Sequence, residues 1–426
     1  MRAPAFILAL LLALVLPGAA GAQIAPPSRS DAGGATAAYS DMISRFWRGP
    51  PASGHLAIVN GIGTGNSAAG VSIETPPQKG WLWQYAQAWN VIYAEWKITG
   101  SADALTRLGA ERNWVLSIWT PANAATCGAV GGTTSYAQDD ATWGAMGLVE
   151  LYDATGDANA LALGAAIIDC AYNRWYDTTM GGGLFYTDSP NAGYVNKDSY
   201  NGEFALAMVE CAQFGCSSAS MTNSQMMANG RALADWGNAT LLRGTGTVCP
   251  QSDALYHMGV YSNAGVTTPI ENACAHPGAI AAAASVTQLS NNMAFAAVNA
   301  RLYALTGVAA YKTFAVNTAA SILALELDGN GAFLDDRDAR TNGFAAWNMA
   351  NDVVPLLANP QPMIGAFLAA LRCVSINARN PDGGYVGDWC GPLNGTWTTD
   401  GFNPDELEVA ANAAIWPIAA LLWAAH

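Results

Sequence analysis

Asp139 and Asp140 stand side by side in "SYAQDDATWGAMGLVELYDATGD" (Ser135 to Asp157), just where an apolar stretch with helical periodicity begins. Only 12% of the chain is charged, so two adjacent like charges need a reason. One reason is local. The first turn of a helix has free N–H groups and a positive dipole end, which would stabilise Asp139 as N-cap and Asp140 one position further on. A single aspartate meets that need. A second adds repulsion, which raises the pKa of one partner if water is excluded. The other reason is chemical. The two side chains leave the helix roughly 100° apart and could flank one glycosidic bond. A separation of about 5 Å would fit a retaining mechanism, with one carboxylate as nucleophile and the other as acid/base.

Other chemistries find less support. "LAIVNGIGTGNSAAG" (Leu56 to Gly70) has a G-x-G-x-G spacing, but no acidic residue about 20 positions on and no βαβ context, so it does not read as a dinucleotide loop. "LDGNGAFLDDRDAR" (Leu327 to Arg340) offers oxygen ligands at Asp328, Asn330, Asp335, Asp336 and Asp338. It lacks the glycine and closing glutamate of a calcium hand, and reads better as a solvated or sugar-facing loop. The four histidines are His55, His257, His276 and His426; no HExxH or GxSxG occurs.

The elements that must position the pair come from a weak repeat. Thr99-Gly100, Thr155-Gly156 and Thr306-Gly307 each close an aromatic-rich apolar stretch and precede an Ala-rich one. Glycine after such a run is a helix C-cap. The spacing matches a step of about 50 residues, the mark of repeated helical hairpins. The register predicts a helix over 36–48, then hairpins 81–98 with 102–118, 139–154 with 158–175, 200–213 with 222–241, 291–305 with 309–326 and 343–357 with 361–377, and a closing helix over 405–424. The first helix of each hairpin is apolar nearly all round, as in "WLWQYAQAWNVIYAEW" (Trp81 to Trp96), and should be buried on all sides. The second is more amphipathic; Arg107, Glu111 and Arg112 are expected on a solvated side. Six inner helices wrapped by six outer ones make an all-α (α/α)6 toroid. Short β-ribbons or loops are expected at 182–186 and 384–389. Long Gly-rich loops precede the inner helices, so a site should be built on that face, where the aspartate pair lies.

Residues 1–22 read as a secretory signal peptide: Arg2, an apolar run from Ala5 to Leu16, Pro17-Gly18, then Ala20-Gly21-Ala22. The mature chain, 23–426, is expected to be one catalytic domain, secreted or periplasmic, with no membrane span, and a monomer. A net charge of −14 disfavours nucleic acid and other polyanions and leaves a neutral ligand compatible. Eight cysteines without a CxxC favour disulfides in an exported chain, with Cys211–Cys216 and Cys373–Cys390 as the preferred local pairs.

The ordered set of Asp139-Asp140, Thr155-Gly156-Asp157, Trp175 with Asp177, Gly181-Gly182-Gly183 and Asn201-Gly202-Glu203-Phe204 resembles glycoside hydrolase family 76, the endo-α-1,6-mannanases with an (α/α)6 fold. The likeness is dense over about 75 residues. The family's Tyr-Asn-Gln-Gly helix start is replaced here by "LSNNMAF" with Asn291 and Asn292. The resemblance implies Asp139 as nucleophile and Asp140 as general acid/base of a retaining α-1,6-mannanase acting on α-mannan, with no metal or cofactor. Trp143, Tyr194, Trp347 and Trp389 are candidates for stacking on sugar rings, and Asn201, Asn292 and Asp336 for bonding hydroxyls. Core packing and helix capping are the competing roles for each. The rival functions are a transglycosylase using the same pair, a sugar epimerase with His257 and His276, and a non-catalytic glycan-binding protein.

Overall fold

The computed structural model describes residues 36–37, 39–40, 42–44, 46–56, 82–124, 138–186, 196–243, 254–257, 259–263, 266–269, 289–329, 331–333 and 339–376. Helical hairpins dominate. α1 (Leu82–Thr99) pairs with α2 (Ala102–Ile118), α3 (Gln138–Thr155) with α4 (Ala158–Trp175), and α5 (Tyr200–Gln213) with α6 (Asn223–Thr240). α7 (Leu289–Thr306) pairs with α8 (Ala309–Leu325), and α9 (Ala339–Asn348) precedes α10 (Gln361–Ile376). Most expected boundaries hold to one or two residues. Part of 36–46 is helical, as expected, but Trp47–Arg48 leaves the helix to pair with His55–Leu56 as a ribbon, β1 and β2. The expected signal peptide and closing helix lie outside the described residues.

The repeat has a physical cause. At each Thr-Gly turn the threonine hydroxyl donates to the carbonyl four residues back: Thr99 to Glu95, Thr155 to Leu151, Thr306 to Leu302. The same oxygen then accepts from the N–H two residues on, in Ser101, Asp157 and Val308. Gly100, Gly156 and Gly307 sit at φ +68°, +71° and +69°, a left-handed conformation in which other residues are strained. The α5–α6 turn uses Gly215 and is clipped by the expected Cys211–Cys216 disulfide.

Inner and outer helices separate as their patterns require. Along α7 every residue from Leu289 to Ala300 is buried. Along α8 only Tyr311, Ala315, Thr318, Ala319 and Ile322 are, a helical stripe facing inward. α1, α3, α5, α7 and α9 pack in succession, and α9 returns to touch α1, with Trp347 edge-on to Tyr93. The fold is the (α/α)6 toroid. Its inner helices run parallel, so their N-termini share one face.

Two expectations on α2 are corrected. Arg107 and Glu111 are buried, because the β1–β2 ribbon covers that side. Arg107 lies over the Trp47 ring and pairs with Asp103 at 2.9 Å. Glu111 accepts from the Leu56 N–H at 2.5 Å and the Trp89 indole at 2.8 Å. Burial nevertheless pushes its carboxyl up to about 8.

Near the C-terminal ends of the inner helices the ring interior is polar. Asn90 donates to Glu150, and Tyr93 and Lys97 meet Asp153. Arg301 of α7 binds Asp352 at 2.6 Å, Asn348 at 2.5 Å and Glu210 at 3.3 Å. Asp352 sits in a π-turn, Met349–Val353, which follows α9 where one helix over 343–357 was expected. Pro355, in the succeeding 3-10 turn, has no N–H to continue the ladder. Burial raises both Glu210 and Asp352, and Arg301 opposes it. Both therefore bind protons more tightly folded than unfolded, and their pairing matters more as pH rises above about 4. Arg301→Met should cost roughly 3–5 kcal/mol near pH 7 and clearly less near pH 4.5, measured by urea unfolding at each pH.

Candidate active site

The aspartate pair lies two residues deeper in its helix than capping alone would place it. α3 starts at Gln138, so Asp139 and Asp140 occupy its first turn. Both are partly buried at the face where the inner helices begin. Asp139 Oδ1 accepts from the Asp140 N–H at 3.0 Å.

Gln138 is the mount for the pair. Its backbone N–H donates to the Tyr186 carbonyl at 2.9 Å, and its Nε2 to Asp198 Oδ1 at 3.0 Å. Thr142 fastens the other side, donating to the Gln138 carbonyl at 3.0 Å. Asp198 ends β3 (Asn196–Asp198), the edge of a small antiparallel sheet with β4 (Gly259–Asn263) and β5 (Val266–Pro269). These strands fall inside stretches read from sequence as long loops. Asp198 also accepts from the Tyr200 N–H at 3.2 Å, which fixes the start of α5. Tyr186 and Tyr200 stack with ring centroids 5.4 Å apart beside this junction.

Neighbouring motifs build the support. The side chain of Lys197, inaccessible to solvent, donates to the carbonyls of Asp177, Thr179 and Gly182 at 2.7, 2.7 and 2.9 Å, and meets Asp177 Oδ1 at 3.3 Å. Burial lowers its pKa and Asp177 opposes that. Burial acts to raise Asp177, but Thr179 and Lys197 outweigh it and hold the carboxyl below its usual value. Gly181, Gly182 and Gly183 all have positive φ, and a Cβ on Gly183 would stand 2.8 Å from the Trp236 ring. All three glycines are favoured by conformation, and Gly183 also by the ring beneath it. The expected ribbon at 182–186 is a single bridge, Leu184 to Tyr176.

The other predicted residues scatter. Asn201 is fully buried. Its amide exchanges hydrogen bonds with the backbone of Leu184 at 2.7 and 3.0 Å and donates to the Asp198 carbonyl at 2.9 Å. Asn292 is also buried and accepts from the Tyr256 N–H at 2.8 Å. Trp143 lies in the core against Phe344, and Trp347 is nearly buried beside Tyr93. Tyr194, Asp336 and Trp389 lie outside the described residues, as does Cys390, the partner expected for Cys373. His257 is buried, and His276 lies outside the described residues. Asp328 closes a turn, accepting from the Ala332 N–H at 2.9 Å, and the described residues hold no cluster suited to a metal ion. Gln138, Tyr186, Asp198 and Lys197 were missed by sequence reasoning; the signal available was the Lys-Asp pair three and four residues ahead of Asn201.

The site is a pair of carboxylates in the opening turn of an inner helix, on an (α/α)6 toroid. The fold is that of the family 76 glycoside hydrolases. The α-1,6-mannanase of Salegentibacter sp. HEL1_6, as an inactive variant with two aspartates adjacent in sequence replaced by alanine, was solved with α-1,6-mannotetrose. It is similar to this chain at 14% identity and a TM-score of 0.63, over 92% of this chain and 99% of that one. A family 76 glycoside hydrolase from a bovine Bacteroides thetaiotaomicron strain has a TM-score of 0.65 at 14% identity, over 92% and 77%. A sugar epimerase from a ruminal bacterium has a TM-score of 0.60 at 10% identity, over 92% and 98%. No protein-family model and no curated protein matches the sequence.

Lys197→Met removes the ammonium that gathers three carbonyls and should lower stability by roughly 2–4 kcal/mol, read by denaturant unfolding.

Proposed function

We propose that this protein is a retaining glycoside hydrolase that cleaves internal α-1,6-mannosidic bonds of mannan. The observation that carries the reading is the adjacent, partly exposed Asp139 and Asp140 in the first turn of an inner helix. In the similar Salegentibacter enzyme an inactive variant lacks two adjacent aspartates. That protein binds α-1,6-mannotetrose and, in a second inactive variant, α-1,6-mannotriose. The net charge of −14 is compatible with such neutral glycans.

Asp139 is the nucleophile. The N-terminal turn of α3 favours its ionised form. It attacks the anomeric carbon as the glycosidic C–O bond breaks, and Asp140 gives its proton to the departing oxygen. Water then attacks the same carbon, Asp140 takes its proton, and the bond to Asp139 breaks, returning both carboxyls to their starting state. A sugar hydroxyl in place of water gives transfer instead of hydrolysis. Half-buried Tyr186, braced by Tyr200, is the described ring best placed to stack on a sugar beside the pair.

The same toroid also resembles an epimerase, which keeps that reading as the alternative. It requires a histidine pair in the cleft, and buried His257 with its backbone N–H bonded to Leu241 favours it less. Residues 1–22 act as an export signal in this reading, which places the enzyme in the periplasm or outside the cell. N-terminal sequencing of exported protein should begin at Gln23; an intact Met1 would reject export by this route.

The central test is incubation with linear α-1,6-linked manno-oligosaccharides, with the anomer of the first product followed by NMR. Retention is expected. Asp139→Asn and Asp140→Asn should each lower kcat by about 10³-fold or more, with Asp140→Asn spared on a substrate whose leaving group needs no proton. Inverted product, or full turnover in either variant, would reject the assignment.

A further inference from the structure

Behind the pair stands a third carboxyl. Asp198 is 4% exposed and meets the reaction centre through Gln138, the residue that directly precedes Asp139. Its Oδ1 accepts from both Gln138 Nε2 and the Tyr200 N–H, so one carboxyl joins the first turn of α3 to the first turn of α5. The cation nearest in sequence cannot balance it. Successive side chains on a strand face opposite ways, and Lys197 is committed to the Asp177–Gly182 segment.

We propose that Asp198 is a positioning residue for the aspartate pair: it holds Gln138 from behind, and its ionisation works against the charge on Asp139. The proposal rests on the assignment of Asp139 as the nucleophile.

Burial pushes the Asp198 carboxyl well above the usual range, and the charge on Asp139 pushes it further. The hydrogen bonds from Tyr200, its own backbone and Gln138 act the other way and do not overcome this. Asp139, from α3, is the charged group that acts on it most strongly. Its register partner on β4 is Gly259, which brings no charge, and at the start of α5 Ser199 is bonded to Asn291 of α7, also uncharged. Asp198 therefore holds its proton more tightly than a free carboxyl, while the helix N-terminal turn around partly exposed Asp139 favours negative charge. Ionising Asp198 as well would place like charges on both sides of Gln138. They could separate only by moving the turn that carries the pair.

The sign for stability follows. Asp198 is protonated when folded and ionised when unfolded above about pH 5, so it costs stability progressively as pH rises until its own folded pKa.

The test compares wild type, Asp198→Asn and Asp198→Ala, each as the full mature chain. Asparagine keeps the acceptor for Gln138 and Tyr200 and cannot ionise. Above pH 5, the wild-type unfolding constant should rise with pH relative to that of Asp198→Asn, at up to about tenfold per pH unit until the folded Asp198 carboxyl ionises. On α-1,6-linked mannotetraose at pH 6, Asp198→Asn should keep kcat within about threefold and move the alkaline limb of kcat/KM upward. Asp198→Ala should lose more than tenfold in kcat with KM little changed. Equal unfolding slopes in wild type and Asp198→Asn, an unmoved alkaline limb, or an Asp198→Asn as slow as Asp198→Ala would overturn the proposal. A wild type inert on these glycans would reject the mannanase reading alone, and the unfolding slopes would still decide where the proton sits. If Asp198→Ala does not fold, the Asp198→Asn comparison stands by itself.

Discussion

Arg301 gathers Glu210, Asn348 and Asp352 inside the ring, and so ties α5, α7 and the π-turn after α9 together from within. A guanidinium buried this way is tolerable only while its partners stay in place, and each carboxyl depends on it in turn. The cluster lies at the C-terminal ends of inner helices, where carbonyls already concentrate negative charge. Burial raises Glu150, Glu210 and Asp352 alike. Fixing the helices relative to one another at this end fixes where their N-termini meet at the other. The interaction does no chemistry, yet the site face is aligned through it.

At the site face the constraint is reversed. Free N–H groups favour negative charge there, and the chain supplies three carboxyls around Gln138: Asp139, Asp140 and Asp198. They differ in surroundings more than in chemistry. The pair keeps access to solvent, whereas Asp198 is enclosed by β3, α5 and Gln138. Enclosure pushes the Asp198 carboxyl up, by the same route through which burial raises Glu111 against two hydrogen-bond donors. The segments that carry the resemblance to family 76 mostly make this arrangement possible. Gly181 to Gly183 pass over Trp236, Lys197 gathers the loop above it, and Asn201 locks Leu184 to the start of α5.

Much of the architecture was legible from short-range physics. The Thr-Gly turns mark helix ends because a threonine hydroxyl and a left-handed glycine complete the last turn locally, without help from the rest of the chain. The inner helices were recognisable because a helix apolar on all sides has nowhere to be but inside. Cys211 and Cys216 flank one tight turn, so their pairing was readable too. Where a long-range contact intervened, pattern misled. Arg107 and Glu111 look like a solvated face until the Trp47–Leu56 ribbon covers it. Asn201 and Asn292 look available to a ligand until Leu184 and Tyr256 claim them.

By itself the sequence determined the helical repeat, the inner and outer division and the neighbouring aspartates at a helix start, because each depends on residues within a few turns of one another. Tertiary structure alone decided that Gln138 carries the pair, that Asp198 stands behind it, and that Lys197 and Arg301 each hold separate segments together. Those assignments follow from β3 meeting β4 some 60 positions away and from helices closing into a ring. Proton affinity and hydrogen-bond occupancy depend on which surfaces water can reach, and that is settled only once distant segments have packed.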